Sequence, residues 1–274
     1  MSKPDSILAG AGRIIDDELR VISKGTREPY YQNMDACKKC VKPDGFHASR
    51  LISNLYKCIE QNRKGHRRCV PPSKQNWRWT SHVAHTTKSK EVERERWMIE
   101  AHLNTLRKGD APRWANQIPV ASGLLNPSAD KRMAIDLAHR CEAPEHKGET
   151  CYALVELKLD VKSGTPLHAA FEILQYGLLF VFSRSKRRSF EYDGVRQPLL
   201  TADRIHLRVL APVEYYRCCK LDWLERELSQ AIGRFARKEA DVGMDFSFWQ
   251  CKQGDWLKYW KKGTLVYGRN VTRL

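Results

Sequence analysis

The chain has 274 residues, 42% of them hydrophobic and 29% charged, enough to build one large domain or a domain with a smaller companion. Lys and Arg number 48 against 32 Asp and Glu, a net charge of +16 that favours an anionic polymer as partner and salt-sensitive binding. The longest apolar stretch, Ala169 to Phe182, contains Glu172 and Gln175 and falls short of the roughly 20 residues of a membrane span, so no membrane partner is expected.

Met1-Ser2-Lys3-Pro4-Asp5 carries no secretory pattern. The expectation is a cytoplasmic protein whose nine cysteines are reduced thiols or metal ligands rather than disulfides.

Ile14, Ile15, Leu19 and Ile22 predict a short amphipathic helix ending at Gly25, and Leu51, Ile52, Leu55, Tyr56 and Ile59 predict a stronger one over Ala48 to Gln61. Around the second helix stand two short pairs, Cys37-x2-Cys40 and His66-x2-Cys69, 25 residues apart. Four such soft ligands suit a structural, tetrahedral Zn²⁺, and the alternative is free thiols. Pro71-Pro72 breaks the pattern and Thr80 to Lys90 is polar, which places a boundary: residues 1–85 form a small Cys-rich, mainly helical region and residues 86–274 the main domain. Lys64 to Arg68 and Trp77-Arg78-Trp79 offer charge and ring faces to nucleic acid, or pack the two regions together.

A helix is expected from Glu91 to Leu106, stopped by Gly109 and Pro112, with Val92, Glu95, Ile99, Leu103 and Leu106 on its inward stripe. Strands follow near Ile118 to Ala121, Met133 to His139 and Cys151 to Val161. Thr165-Pro166 supplies an N-cap and a first-turn proline for a helix reaching about Tyr176 or beyond, with His168, Glu172 and Gln175 on one face. After the basic cluster Arg184 to Arg188 come a half-buried strand at Ile205 to Leu210, a helix over Asp222 to Lys238, and an aromatic, basic segment from Phe246. Helices interleaved with strands argue for a mixed α/β fold.

Three charges break the apolar strands: Asp136 within Met133 to Ala138, and Glu156 and Lys158 within Tyr152 to Leu159. Strand alternation puts Tyr152, Leu154, Glu156, Lys158 and Asp160 on one face. Desolvating such groups is costly, and a metal or substrate is the usual reason they persist; the competing reading is a buried ion pair. Two other acidic-x-Lys triplets, at Glu145 and Asp160, lack the apolar setting.

With these residues in place, the stretch from Glu91 to Val209 resembles the PD-(D/E)XK nuclease superfamily, with its RecB-like and restriction-endonuclease branches. Ile135 stands where the motif's name has proline, and Leu179 where a RecB-type Gln-x3-Tyr has tyrosine. The resemblance implies a restriction-endonuclease-like mixed sheet flanked by helices, and a Mg²⁺-dependent (or Mn²⁺-dependent) deoxyribonuclease. By that resemblance Asp136, Glu156 and the Leu157 carbonyl hold the metal, Lys158 orients or deprotonates the attacking water, and Glu95 and Gln175 assist. DNA is the expected substrate, with endonuclease or exonuclease action, and a homodimer or a partner protein, left open. The alternative is a catalytically inactive nucleic-acid-binding protein with a zinc-stapled N-terminal region.

Overall fold

The computed structural model describes residues 6–20, 30–33, 37–38, 41–65, 72–81, 90–104, 106–125, 133–141, 148–160, 162–217, 219–251 and 271–273. Six strands lie side by side in chain order: β1 (Trp114–Pro119), β2 (Ala134–Cys141), β3 (Cys151–Leu157), β4 (Arg204–Pro212), β5 (Gly243–Cys251) and the short β6 (Val271–Arg273). The first three form an antiparallel meander, β3–β4 and β4–β5 are parallel, and β6 closes antiparallel on β5. Parallel neighbours need long crossovers. Helix α4 (Pro166–Ser185) supplies the one between β3 and β4, and α6 (Asp222–Ala240) the one between β4 and β5, after the single-turn α5 (Val213–Tyr216). Upstream lie α1 (Ala11–Leu19), α2 (Ala48–Gly65) and α3 (Lys90–Leu103), with 3₁₀ turns at Tyr30–Gln32 and Pro198–Thr201.

The pleat of β3 sorts its side chains between two layers of helices. Tyr152 and Leu154 face a large core shared by Ile15, Leu51, Ile59, Phe171, Leu207 and Phe246, under α4 and α6 with α1 and α2 behind them. Ala153, Val155 and Leu157 face a smaller core with Leu137 and Leu210, capped by Met98 and Ile99 of α3. The architecture is therefore a mixed α/β sheet with helices on both faces. Helices from both sides of residue 85 share the larger core, and the expected boundary itself falls in 82–89, outside the described residues.

Helix α4 is apolar almost all round because it is enclosed, with the sheet on one side and α2 and α6 on others. The Thr165 hydroxyl accepts from the His168 N–H at 3.0 Å and Pro166 fits the first turn, as the sequence predicts. By length and composition α4 could cross a membrane, yet 83% of its most apolar window is buried inside this fold.

Boundaries shift where tertiary contacts decide them. The first strand begins at Trp114 rather than Ile118, and β3 stops at Leu157 rather than Val161. Of the segment from Phe246, expected only to be aromatic and basic, residues 246–251 lie within β5, where Met244, Phe246 and Phe248 enter the larger core.

Candidate active site

The rungs between β2 and β3 run from Cys141↔Cys151 to Leu137↔Val155 and stop there. One residue on, a side chain replaces the backbone partner: the Leu157 N–H donates to Asp136 Oδ2 at 2.8 Å. The N–H and C=O of one strand residue leave on the same side, so the Leu157 carbonyl also faces the Asp136 edge. The Lys158 N–H turns the other way, donating to Leu210 O at 2.9 Å. Asp136 and Glu156 thus sit on the two arms of a parting strand pair.

On the α4 face, Lys158 Nζ lies 2.7 Å from Glu156 Oε1 and 3.4 Å from Glu172 Oε2. One turn along α4, the Tyr176 hydroxyl donates to Glu172 Oε1 at 3.3 Å. Glu156 is 3% exposed and Lys158 8%, so the pair is held away from water; Asp136 and Glu172 are half-buried.

Burial, then Asp136 and Glu172, drive the Glu156 carboxyl well above its ordinary value, and Lys158 opposes this without reversing it. Burial would lower Lys158, but Glu156, Glu172 and Asp136 together push it above the ordinary lysine value. Burial raises Glu172 too, yet Lys158 and His168 outweigh it and leave that carboxyl below its usual range. The Tyr176 phenol is raised by burial and by the same three carboxylates. Tyr215 is raised by burial, then by Cys37, Glu156 and Glu172, and its buried hydroxyl has no hydrogen-bond partner among the described residues.

Three carboxylates around one ammonium leave the cluster short of positive charge. A proton on Glu156 is one answer; a divalent cation is the other. The donors are hard oxygens, as Mg²⁺ requires. Among the described residues no three His, Cys, Asp or Glu side chains are already closed around one point as a metal cage. Mg²⁺ does not need one, since it is usually held by one or two carboxylates, waters and substrate phosphate. Asp136, Glu156 and the Leu157 carbonyl fit that mode.

Glu95 is buried, as its place on the inward stripe predicts, but α3 covers the face of the sheet opposite Lys158 and Glu172. Its carboxylate accepts from Gln117 Nε2 at 2.6 Å. Gln117 lies between the rungs Asn116↔Leu137 and Ile118↔Ile135, level with Asp136, and its φ of 51° is in the left-handed region. A non-glycine residue there costs roughly 1–3 kcal/mol, and such strain gathers at functional sites. Gln175 is half-buried on α4 and bonds the Tyr31 hydroxyl, whose ring packs on Phe171 at 5.4 Å. Glu172, not Gln175, is the α4 side chain that meets Lys158.

Several alternatives resolve toward packing. Trp77 is fully buried against Phe180, with ring centroids 5.6 Å apart, and is no platform for bases. His139, near the end of β2, is buried and lies against Trp114 with ring centroids 4.2 Å apart. The Arg184 guanidinium clasps main-chain carbonyls of Ala240, Ala202 and Asp241. Lys186, Arg187 and Arg188 line an open groove of about 740 Å³. Of the expected zinc ligands, Cys37 is buried in the larger core, while Cys40, His66 and Cys69 lie outside the described residues.

The residues the sequence left unassigned are Glu172, Tyr176 and Tyr215. Glu172 did carry a signal, a carboxylate inside the most apolar helix of the chain. Tyr176 and Tyr215 look like any core aromatic until Glu172 is placed. Comparison with family models, curated proteins and solved structures finds no match for this chain.

Proposed function

We propose that this protein is a metal-dependent phosphodiester hydrolase with a restriction-endonuclease-like core, acting on DNA. The observation that carries this reading is the juxtaposition of Asp136 and Glu156 at the parting of β2 and β3, with Lys158 Nζ 2.7 Å from Glu156. The order of elements supports it: α3 with Glu95, β2 with Asp136, β3 with Glu156 and Lys158, then α4. The charge of +16 supplies the long-range attraction a polyphosphate needs.

Mg²⁺ or Mn²⁺ bound there would polarise a phosphoryl oxygen and lower the pKa of a bound water. The chain's own contribution is positioning. Asp136 and the Leu157 carbonyl approach from the β2 side, and Glu156 from the face toward α4. Lys158 is held in its charged form by its carboxylate neighbours, so it donates to water or phosphate oxygen and steadies developing negative charge rather than taking a proton. Glu172, with Tyr176 behind it, fixes Lys158 from the helix side.

The test is incubation of plasmid, linear single-stranded DNA and RNA with Mg²⁺ or Mn²⁺, comparing wild type with Asp136→Asn. Wild type is expected to cut DNA only when the metal is present, and Asp136→Asn to bind DNA without cutting. Binding by both proteins with no cleavage of any substrate would favour the inactive nucleic-acid-binding reading instead.

A further inference from the structure

The opposite face of the sheet carries a second cluster, unconnected with the phosphodiester reading. Cys141 and Cys151 face each other directly across β2 and β3, and the structure has both as thiols. Directly opposed residues of an antiparallel pair have Cα atoms about 4.5–5.5 Å apart, inside the roughly 4.4–6.8 Å that a disulfide accepts. On the next strand, His206 Nε2 lies 3.0 Å from Cys151 Sγ. On the strand after that, Asp245 Oδ2 lies 2.5 Å from His206 Nδ1. The parallel register makes this row, since Ala153, His206 and Asp245 are direct partners across β3, β4 and β5.

The row has a direction. Burial would raise Asp245, but the hydrogen bond with His206 and the charge of Arg208 hold it at about 2, so it is ionised. An ionised carboxylate accepts from His206 Nδ1–H, and in the neutral ring that leaves Nε2 as an acceptor toward Cys151. The hydrogen bond with Cys141, then burial, push the Cys151 thiol up, so it keeps its proton until a base removes it. Exposure divides the two sulfurs: Cys151 is 1% exposed, while Cys141 is half-buried.

We propose that Cys141 and Cys151 form a redox-active dithiol, oxidised by low-molecular-weight disulfides of the glutathione type, with His206 and Asp245 as its base relay. Half-buried Cys141 gives its proton to water, and the resulting thiolate attacks one sulfur of the external disulfide R–S–S–R, forming a mixed disulfide and expelling RS⁻, which recovers that proton from water. Cys151 then gives its proton to His206 Nε2 and attacks the Cys141 sulfur, expelling a second RS⁻ that recovers the proton from His206. The balance is R–S–S–R plus two thiols giving one cross-strand disulfide and two RSH. Glu156 lies five positions along β3 from Cys151, about 16 Å at roughly 3.3 Å per residue, so the staple closes the end of the β2–β3 pair remote from Asp136.

The full-length protein is treated with oxidised glutathione, quenched with iodoacetamide and digested with trypsin, which cuts after Arg140, Lys147 and Lys158 and so separates the two cysteines. A linked pair of peptides bearing Cys141 and Cys151 is expected ahead of any other disulfide among the nine cysteines. In His206→Gln, ring closure slows by about a hundredfold, the lower end of what a general base contributes, and the glutathione adduct on Cys141 accumulates. Cys151→Ser stops at that adduct. If His206→Gln does not fold, Asp245→Asn serves with the same expected slowing. No linked peptide in the wild type overturns the dithiol, and unchanged closure in the relay variant overturns the roles of His206 and Asp245.

Discussion

Glu156 concentrates the tension in the candidate site. Its folded pKa is raised, so the folded metal-free protein binds more protons there than the unfolded chain does. The resulting stability is present at low pH and is lost as pH rises above the ordinary carboxyl value toward the folded one. A metal at the proposed site would compete with that proton, so its binding should strengthen over the same rise. In thermal melts, Mn²⁺ at a hundredfold excess over its Kd should raise the wild-type Tm by about 5 °C or more at pH 8, and by less at pH 5. Glu156→Gln removes the repulsion from Asp136 and Glu172, so its metal-free Tm at pH 8 should equal or exceed wild type while its response to Mn²⁺ disappears. Equal Mn²⁺ responses in the two proteins would show that Glu156 is no ligand. Glu172→Gln takes a charged partner from Lys158; a hydrogen bond to a charged group is worth about 1.5–3 kcal/mol, so turnover should fall roughly tenfold or more at unchanged DNA affinity. Asp136, Glu156 and Lys158 were legible in the sequence because each interrupts an apolar strand. Glu172 was visible but unassigned, since helical periodicity does not show which strand residue a helix face meets.

At the scale of elements, two glycines mark where the crossover helices press on the sheet. A Cβ on Gly177 of α4 would lie 2.5 Å from the Leu207 Cδ1 atom, the far end of a side chain that can swing. A Cβ on Gly233 of α6 would lie 2.9 Å from the Met244 carbonyl oxygen, which is held in β5. Alanine in a helix interior gains about 1 kcal/mol over glycine, and overpacking costs about 1–3 kcal/mol. Gly177→Ala should therefore be near neutral, whereas Gly233→Ala should lose about 1–2 kcal/mol in urea unfolding. A Gly233→Ala protein as stable as wild type would mean that α6 can lift from β5 at little cost. Neither contact was legible, because a glycine's neighbour across layers leaves no periodic trace. Helices α2, α4 and α6 were legible from their apolar stripes and the Thr165-Pro166 cap. Strand β5 was not, although Met244, Phe246 and Phe248 alternate with Asp245 and Ser247 as in a half-buried strand; Trp249, packed on the smaller core, is the residue that breaks the pattern.

Over the whole molecule, the proposed function joins an excess of 16 positive charges to a candidate metal site built from acids: the net charge would gather a polyanion that the acidic cluster alone would repel. Each phosphate neutralised contributes about −0.9 for duplex DNA, or −0.7 for single strands, to the slope of log affinity against log salt. Fluorescence anisotropy with a duplex oligonucleotide in Ca²⁺ should give a slope steeper than about −3, and a flat dependence would deny a role for the charge. The mixed α/β architecture followed from the alternation of helices and strands, whereas the sharing of one core by α1, α2, α4 and α6 is a property of packing that local patterns do not carry. The proposed function turns on Lys158, which is held between Glu156 and Glu172 and would serve phosphodiester cleavage beside a metal bound by Asp136 and Glu156. The most direct measurement is single-turnover DNA cleavage in Mg²⁺ by wild type and Lys158→Ala, with folding checked by circular dichroism. Wild type should cleave, and the folded, DNA-binding variant should lose at least about a hundredfold; undiminished cleavage by Lys158→Ala would deny Lys158 that role.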